Sequence, residues 1–559
     1  MVGKANPRNG GSLFLDVLRN REVNNIYCCP GTTEVSIIDA TVSKEDINFV
    51  LFPFEGPAVA AADGHARITG KPQVVMLHAN VGLANGITQI YSACMSHTPL
   101  VVINVVKPRA LLSHGGITTA MDEQEMVKQY TRWHWMSLRP EELKEDINRA
   151  FQMAIKPPSG PTLLVIPQDV LEHPACEESV YTFPQKNRSY NITPGEEELK
   201  KAAALMAESS FPVIISGAGV GKEGCTEEVS RLAELVGAGV CCESRRSLYH
   251  NSYPTGERHF LGPYSSDNPY IEKADLIVAL GAKAFVEFRQ PDALWPPEGV
   301  KFIHLHEDLG ELDKLYQADV ALCGKVAGTV RKLYDRVAPL VKDREERLAE
   351  RNEEINKLHI QRKEDISRKL REIAGKKPIR VATLVEKMSK FMDGNTTVVV
   401  DTPTSDAHLV EYLERPDCLS FYGHGSGSLG WGTGAALGAK WGAPGRKVIC
   451  VTGDGSFLFG IQGLWVAYKH QVPVVFVVIN NQRYAAVRSG LLKYSGEAVS
   501  RDVFPGTDIS GINYAGVAKN FGIEAERVEE PGNIYPALQR ALNKGEPYFL
   551  ELMVDPDDF

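Results

Sequence analysis

Gly453-Asp454-Gly455 is followed, after 24 intervening residues, by Asn480-Asn481. A carboxylate and a side-chain amide brought together are hard oxygen ligands. They suit Mg²⁺, which takes one or two carboxylates plus substrate phosphates rather than a closed protein cage. Glycine on either side of the Asp lets backbone approach a phosphate closely. Two further groups are candidates for moving protons. Glu55 stands in LFPFEGPAVAAADGHAR (51–67), between a strand-like FVLF and a helix-like run. A merely structural Glu there would be a favourable charge at a helix N-terminus. His78 closes the run VVMLH ahead of ANVGLANG, and imidazole is the side chain that titrates near neutral pH. A lone His at a strand end is otherwise a structural feature, and His97 reads that way on a buried helix.

These residues need elements to bring them together. The strand-like KVICVT leads into the GDG turn, a helix follows, and VPVVFVVI ends at the two Asn. Both ends then lie at carboxyl ends of neighbouring strands, where open α/β sheets bind ligands. Short β-branched runs at 74–77, 100–105, 162–166, 213–215, 276–280, 397–400, 448–451 and 474–479 read as strands buried on both faces of parallel sheets. Helical periods lie between them, as at 57–69 and 460–470. This alternation predicts an α/β protein with mostly parallel sheets flanked by helices.

Two boundaries divide the chain. The stretch 173–194 is polar and irregular, and 343–372 is a run of mixed charge that suits a solvated connector helix. A partner-binding coiled coil is the rival reading of that run, with few apolar heptad positions to support it. The expected domains are 1–185, 190–340 and 376–559, with a charged helical linker at 341–375. The first and third domains are candidates to share a fold, but no repeat in the sequence shows it. A length of 559 residues agrees with three or four domains. Hydrophobic residues at 43% and charged residues at 23% exclude collagen-like, disordered and disulfide-stapled chains. A net charge of −9 argues against a general nucleic-acid binder. No apolar run approaches a membrane span, and MVGKANPRNG has no secretory apolar core. The ten Cys form no C-x-x-C pair, so reduced thiols in a cytoplasmic protein are expected.

The GDG-x24-NN spacing resembles the diphosphate motif of thiamine diphosphate enzymes. The resemblance implies a pyrimidine-binding, middle and diphosphate-binding domain order, with thiamine diphosphate and Mg²⁺ as cofactors. It implies Asp454, the Asn481 side chain and the Arg483 carbonyl as metal ligands, with Gly453, Gly455 and Ser456 in the diphosphate cradle. The Gly-rich stretch 423–434 resembles the segment whose carbonyl, here Gly427, takes the pyrimidine amino group and whose large apolar residue, here Leu429, wedges under the cofactor. Glu55 resembles the family's catalytic Glu, with His65 where Tyr is usual in the following helix.

Within the family, Leu77-His78 before a Gly- and Asn-containing helix resembles benzoylformate decarboxylase, where acetolactate synthases carry Ser-Gly-Pro-Gly. His78 is thereby an acid/base candidate. His114 is a second, since pyruvate decarboxylases carry a His pair there. Asp122 aligns with an active-site Gln of acetolactate synthases, and His424 lies beside the Gly427 carbonyl. Three features depart from the pattern. Phe288 and Arg289 stand where the middle domain would supply another His. Ser489-Gly490 replaces an aromatic cluster after the NN. Ser216-Gly-Ala-Gly-Val-Gly-Lys222 fails the dinucleotide fingerprint, its third Gly arriving one residue early. It also fails as a P-loop, having Glu223 in place of Ser/Thr. FAD, which some relatives hold in that domain, is neither established nor excluded.

The implied activity is non-oxidative decarboxylation of a 2-oxo acid, with release of an aldehyde or carboligation to an aldehyde or ketone. An acetolactate-synthase-like carboligase or C–C lyase, and an inactive thiamine diphosphate-binding regulatory homologue, are the alternatives. The expected assembly is a homodimer or homotetramer, with Glu55 of one subunit meeting the GDG-NN domain of its neighbour.

Overall fold

A computed structural model describes residues 8–174, 190–244, 248–265, 268–283 and 296–558. It contains three six-stranded sheets, each wholly parallel. The first holds β1 (Asn25–Cys29), β2 (Asn48–Leu51), β3 (Gln73–His78), β4 (Leu100–Val106), β5 (Trp133–Met136) and β6 (Thr162–Pro167) in the order β2-β1-β3-β4-β6-β5. The second holds β7 (Pro212–Ser216), β8 (Gly239–Cys242), β9 (Phe260–Pro263), β10 (Leu276–Leu280), β11 (Lys301–His306) and β12 (Val320–Cys323) in the order β12-β11-β10-β7-β8-β9. The third holds β13 (Thr396–Asp401), β14 (Phe421–Gly423), β15 (Lys447–Gly453), β16 (Val474–Asn480), β17 (Glu524–Val528) and β18 (Tyr548–Met553) in the order β14-β13-β15-β16-β18-β17. The first and third sheets therefore share one strand order, a kinship that side-chain patterning does not reveal.

Every run expected as a strand lies within one, and the central strands are buried throughout because helices cover both faces. Consecutive cysteines 28–29 and 241–242 lie on β1 and β8, where neighbouring side chains face opposite ways, and all four are free thiols. The helix expected at 57–69 runs Glu55–Thr69; Pro57 is tolerated in its first turn, and Gly70 ends it at φ +67°. The helix expected at 460–470 is found at Gly463–Lys469, and a separate short helix, Asp454–Gly460, precedes it. The break has a local cause: the Thr433 hydroxyl takes the Gly460 carbonyl at 2.7 Å, diverting it from the helical ladder. The charged linker is one helix, Glu345–Ile373, whose Ile355 and His359 alone are buried. It docks on its own chain, His359 Nδ1 lying 2.8 Å from the Phe260 carbonyl and Arg362 pairing with Glu411 at 2.7 Å.

The Glu55–Thr69 helix and the Trp431–Gly442 helix join the first and third sheets at backbone distance. A Cβ on Gly438 would lie 1.9 Å from the Ala61 carbonyl oxygen, one on Gly434 2.3 Å from that of Pro57, and one on Gly64 2.2 Å from that of Ala435. Beside this crossing, Asp63 and Arg67 form a buried pair at 2.7 Å. Trp431 Nε1 donates to Asp63 at 2.6 Å, and Arg67 donates to the Gly423 carbonyl at 2.6 Å. Because the backbones leave no room, Gly438→Val should destabilise the protein by about 1–3 kcal/mol or more. Urea unfolding followed by circular dichroism checks this; an unchanged midpoint contradicts the close crossing.

Candidate active site

β15 runs straight into the Asp454–Gly460 helix, and its register with β16 brings Asn480 and Asn481 out beside the turn. Asp454 is buried; its Oδ1 accepts from Gly455 N at 2.8 Å and its Oδ2 from Gln482 N at 2.7 Å. Burial raises its pKa to about 6 despite those bonds. A carboxyl so placed gains from a cation. Asn481 is buried, and its Oδ1 accepts from Arg483 N at 3.2 Å. The Arg483 carbonyl accepts from Ala485 N at 2.9 Å and retains a second lone pair, while its guanidinium turns to Asp557. The two Asn have different work: Asn480 Nδ2 donates to the fully buried Glu551 at 2.7 Å, a structural bond. Gly455 has no room for a Cβ, which would meet the Tyr484 ring at 2.5 Å. Next to the turn, Thr402 Oγ1 is buried without a hydrogen-bond partner among the described residues. A Cβ on Gly453 would lie 3.9 Å from Ser456 Oγ and 4.0 Å from Thr402 Cβ, so these residues share the turn.

The Gly-rich stretch loops over the end of β13. Gly427 is exposed at φ +76°, and His424 Nδ1 accepts its N–H at 2.9 Å. His424 thus shapes the loop that carries the Gly427 carbonyl. Buried Asp401 Oδ2 accepts from Gly430 N at 2.9 Å and Gly432 N at 3.0 Å, anchoring the loop's far side. Leu429, half-buried, offers its carbonyl to Gln89 Nε2 at 3.0 Å, and Ser428 Oγ donates to the Thr88 carbonyl at 3.0 Å. Both partners belong to the helix Ala79–Met95 of the first domain.

That helix follows His78 directly. One turn before Gln89, Asn85 Nδ2 donates to Glu55 Oε2 at 3.1 Å. Glu55 is buried at the first turn of its own helix, and a Cβ on Gly82 would lie 3.2 Å from its Oε1. His78 is seated by residues just after β1. Its Nδ1 is 3.1 and 3.2 Å from the two oxygens of Glu34, which is fully buried, and 3.0 Å from Thr33 Oγ1. Thr33 Oγ1 donates to Glu34 Oε1 at 2.7 Å, and Gly31 N donates to Glu34 Oε2 at 2.7 Å. A Cβ on Gly31 would lie 2.2 Å from His78 Nδ1, so only glycine admits the ring. With Nδ1–H given to a carboxylate, Nε2 is the nitrogen left to exchange a proton. The hydrogen bond to Glu34 raises the His78 pKa, against the opposing effect of burial.

Sequence reasoning missed Glu34, Thr33, Asn85 and Gln89. PGTTE after a strand was the available signal for Glu34, but its partner lies 44 residues on. The remaining candidates stand apart. His114 is exposed on the loop after β4, and Asp122 caps a short helix, accepting from Gln124 N and Glu125 N. His97 is half-buried and lies in the turn just past the Ala79–Met95 helix rather than on it. Phe288 and Arg289 lie outside the described residues. Glu55 with His78, and Asp454 with Asn481, occupy different domains and are held by separate hydrogen-bond sets; the Ala79–Met95 helix touches both Glu55 and the Gly-rich loop.

Three profiles of thiamine pyrophosphate enzymes match the chain: the N-terminal TPP binding domain over residues 8–126, the central domain over 199–333 and the C-terminal TPP binding domain over 404–552. The chain belongs to the thiamine pyrophosphate enzymes. A probable acetolactate synthase large subunit of Methanocaldococcus jannaschii is 27% identical, covering 98% of this chain and 92% of its own length. A benzoylformate decarboxylase of Pseudomonas aeruginosa is 26% identical, covering 97% of this chain and 98% of its own length. In fold, the chain matches the thiamine diphosphate-dependent 4-hydroxybenzoylformate decarboxylase of Rhodococcus jostii at a TM-score of 0.85 and 23% identity, covering 99% of this chain and all of that one.

The Glu34–His78 pair has a pH signature. Because it favours the charged imidazole, its contribution to stability is complete below about 6.5 and is lost as pH rises through the raised value. Glu34→Gln should lower the His78 pKa, read by NMR titration of labelled histidine with His78→Gln identifying the resonance. An unmoved titration contradicts the pairing.

Proposed function

We propose that this chain is a Mg²⁺- and thiamine diphosphate-dependent decarboxylase of a 2-oxo acid, in the manner of the benzoylformate decarboxylases it resembles. The observation that carries the reading is the placement of an imidazole, fixed in one tautomer by buried Glu34, at the end of β3 beside the strand β1 and helix that position Glu55. Thiamine diphosphate, when bound, supplies a carbanion-type nucleophile and an electron sink for the departing CO₂.

This chain's residues do the rest. Asp454, the Asn481 side chain and the Arg483 carbonyl would hold the metal, and Gly453, Gly455 and Ser456 would receive the diphosphate. The buried, cation-seeking Asp454 carboxyl and the unpartnered Thr402 hydroxyl support that assignment. The exposed Gly427 carbonyl would accept from the pyrimidine amino group, and Leu429 would supply an apolar contact to the cofactor. Glu55, held by Asn85, would be the carboxyl to exchange a proton with the cofactor's pyrimidine ring nitrogen. His78 Nε2 passes protons to and from the substrate carbons and oxygens, with His114 as a second candidate. A second copy of the chain completes the assembly, as a dimer or tetramer. Exposed Val81, near Glu55, and exposed Phe459, against Gly430, support this by leaving apolar surface beside each half of the site.

A carboligase reading is favoured by the acetolactate synthase likeness, which is as strong in identity as the decarboxylase one. Incubation with benzoylformate, branched 2-oxo acids and pyruvate, with products identified by mass spectrometry, separates the two. Aldehyde is expected; acetohydroxy-acid alone overturns simple decarboxylation. Glu55→Gln should lower kcat by about 10²–10⁴-fold while calorimetry still detects thiamine diphosphate with Mg²⁺; a wild-type rate removes Glu55 from the mechanism. Because Asp454 titrates near 6, the proton competes with metal below that pH. Cofactor affinity measured with Mg²⁺ should be steady above neutrality and fall about tenfold per unit of pH below about 6. A flat profile contradicts the Asp454 assignment.

A further inference from the structure

Read from β9, the middle sheet runs 3-2-1-4-5-6, the strand order of dinucleotide-binding folds, with its switch point between β7 and β10. In such folds the pyrophosphate sits over the turn that leaves the first strand, on backbone N–H groups. Here a side chain of the protein stands in that place. Glu243, which follows β8 and is buried, accepts from Ala218 N at 3.0 Å through Oε2 and from Lys283 N at 2.7 Å through Oε1. The turns after β7 and β10 are also stitched together. Gly217 N donates to the Leu280 carbonyl and Gly219 N to that of Gly281, both at 2.9 Å. A Cβ on Gly217 would lie 2.2 Å from Ala282 Cα, so no gap separates the turns. FAD, held by some relatives in this domain, does not fit a crevice filled this way.

The mouth of the crevice faces the first domain. Lys283 Nζ donates to the Met95 carbonyl. Lys222 Nζ donates to the His97 carbonyl at 3.2 Å and to Ser159 Oγ at 2.8 Å, with Glu307 as counter-ion at 3.0 Å. Glu307 also pairs with Lys325. Met95 ends the Ala79–Met95 helix, and His97 turns the chain away from it at φ +49°. Helix C-terminal carbonyls carry partial negative charge, which ammonium groups suit. A buried ammonium is costly unless paired, so two lysines aimed at one helix end are a specific arrangement rather than surface decoration. The helix they hold is the one whose other end begins at His78 and whose Asn85 and Gln89 reach Glu55 and the Gly-rich loop.

We infer that the middle domain binds no dinucleotide and instead grips the first domain: Glu243 occupies the phosphate position, and Lys222 and Lys283 clamp the C-terminal end of the Ala79–Met95 helix. Two measurements on the full-length protein test this. Titration of the unaltered protein with FAD, followed by flavin fluorescence, should show no binding; stoichiometric flavin binding overturns the occupied crevice. Hydrogen–deuterium exchange read by mass spectrometry then compares the unaltered protein with Lys222→Met/Lys283→Met. Exchange across 90–98 should quicken about tenfold, while the strand Thr396–Asp401 stays protected. Equal exchange across 90–98 overturns the grip. If the double variant does not fold, Lys222→Met alone is read by the same two segments.

Discussion

The approach of two helices at backbone distance underlies the rest of the structure. Glu55 and Asp454 are about 400 residues apart in the chain, in the first and third domains. The Glu55–Thr69 and Trp431–Gly442 helices cross where Gly64, Gly434 and Gly438 leave no side-chain atoms between them. Asp63, Arg67 and Trp431 then bond across the crossing in full burial. Arg67 lies over the Trp431 ring at 4.5 Å, so its charge is met on one side by a carboxylate and on another by a π face. Since close-packed interiors transmit displacement rather than absorb it, the position of Glu55 is tied to that of the Gly-rich loop just before Trp431.

Three buried carboxylates divide the chemical work, and their partners decide what each can do. Glu34 faces an imidazole, so it fixes a tautomer and favours a charged His78. Asp454 faces only backbone N–H groups that are too few to offset burial, so its pKa rises to about 6, and a cation is the natural complement. Glu243 also faces backbone N–H groups and is raised further, to about 8, by desolvation. It stands where a ligand phosphate would otherwise sit. The same functional group thus orients an imidazole, is held at a strand–helix turn with a raised pKa, or bridges two strand ends, according to what surrounds it.

The three sheets also divide by topology. The first and third share a strand order and present Glu55, His78 and the GDG-NN turn at carboxyl ends of their strands. The second has the dinucleotide order but spends its switch point on domain contact. The Ala79–Met95 helix connects these roles: held at its end by the middle domain, it reaches the third domain through Gln89 and the catalytic face through Asn85.

Much of this was readable in the residues. Buried parallel strands advertise themselves as short β-branched runs, because both faces are covered. The GDG-x24-NN spacing is local to one strand–helix–strand unit, so sequence distance and spatial distance agree there. Asn480 and Asn481 look equivalent in sequence, yet only the fold gives Asn480 to Glu551 and leaves Asn481 beside the turn. The helix expected at 460–470 starts only at Gly463, because Thr433, from another element, takes the Gly460 carbonyl. Glu34, Asn85, Glu243 and Lys283 escaped notice for the same reason. Each acquires its role from a partner brought in by tertiary contact, 30 to 44 residues away for Asn85, Glu34 and the Glu243–Lys283 backbone bond and 188 for Lys283 with Met95. Residue types and short spacings determined the fold class and the cofactor motif, since both depend on local periodicity and local turns. Which carboxylate meets an imidazole, the backbone N–H groups of a turn or the crevice of the middle sheet was decided only by tertiary structure, because burial and pairing are properties of the packed chain.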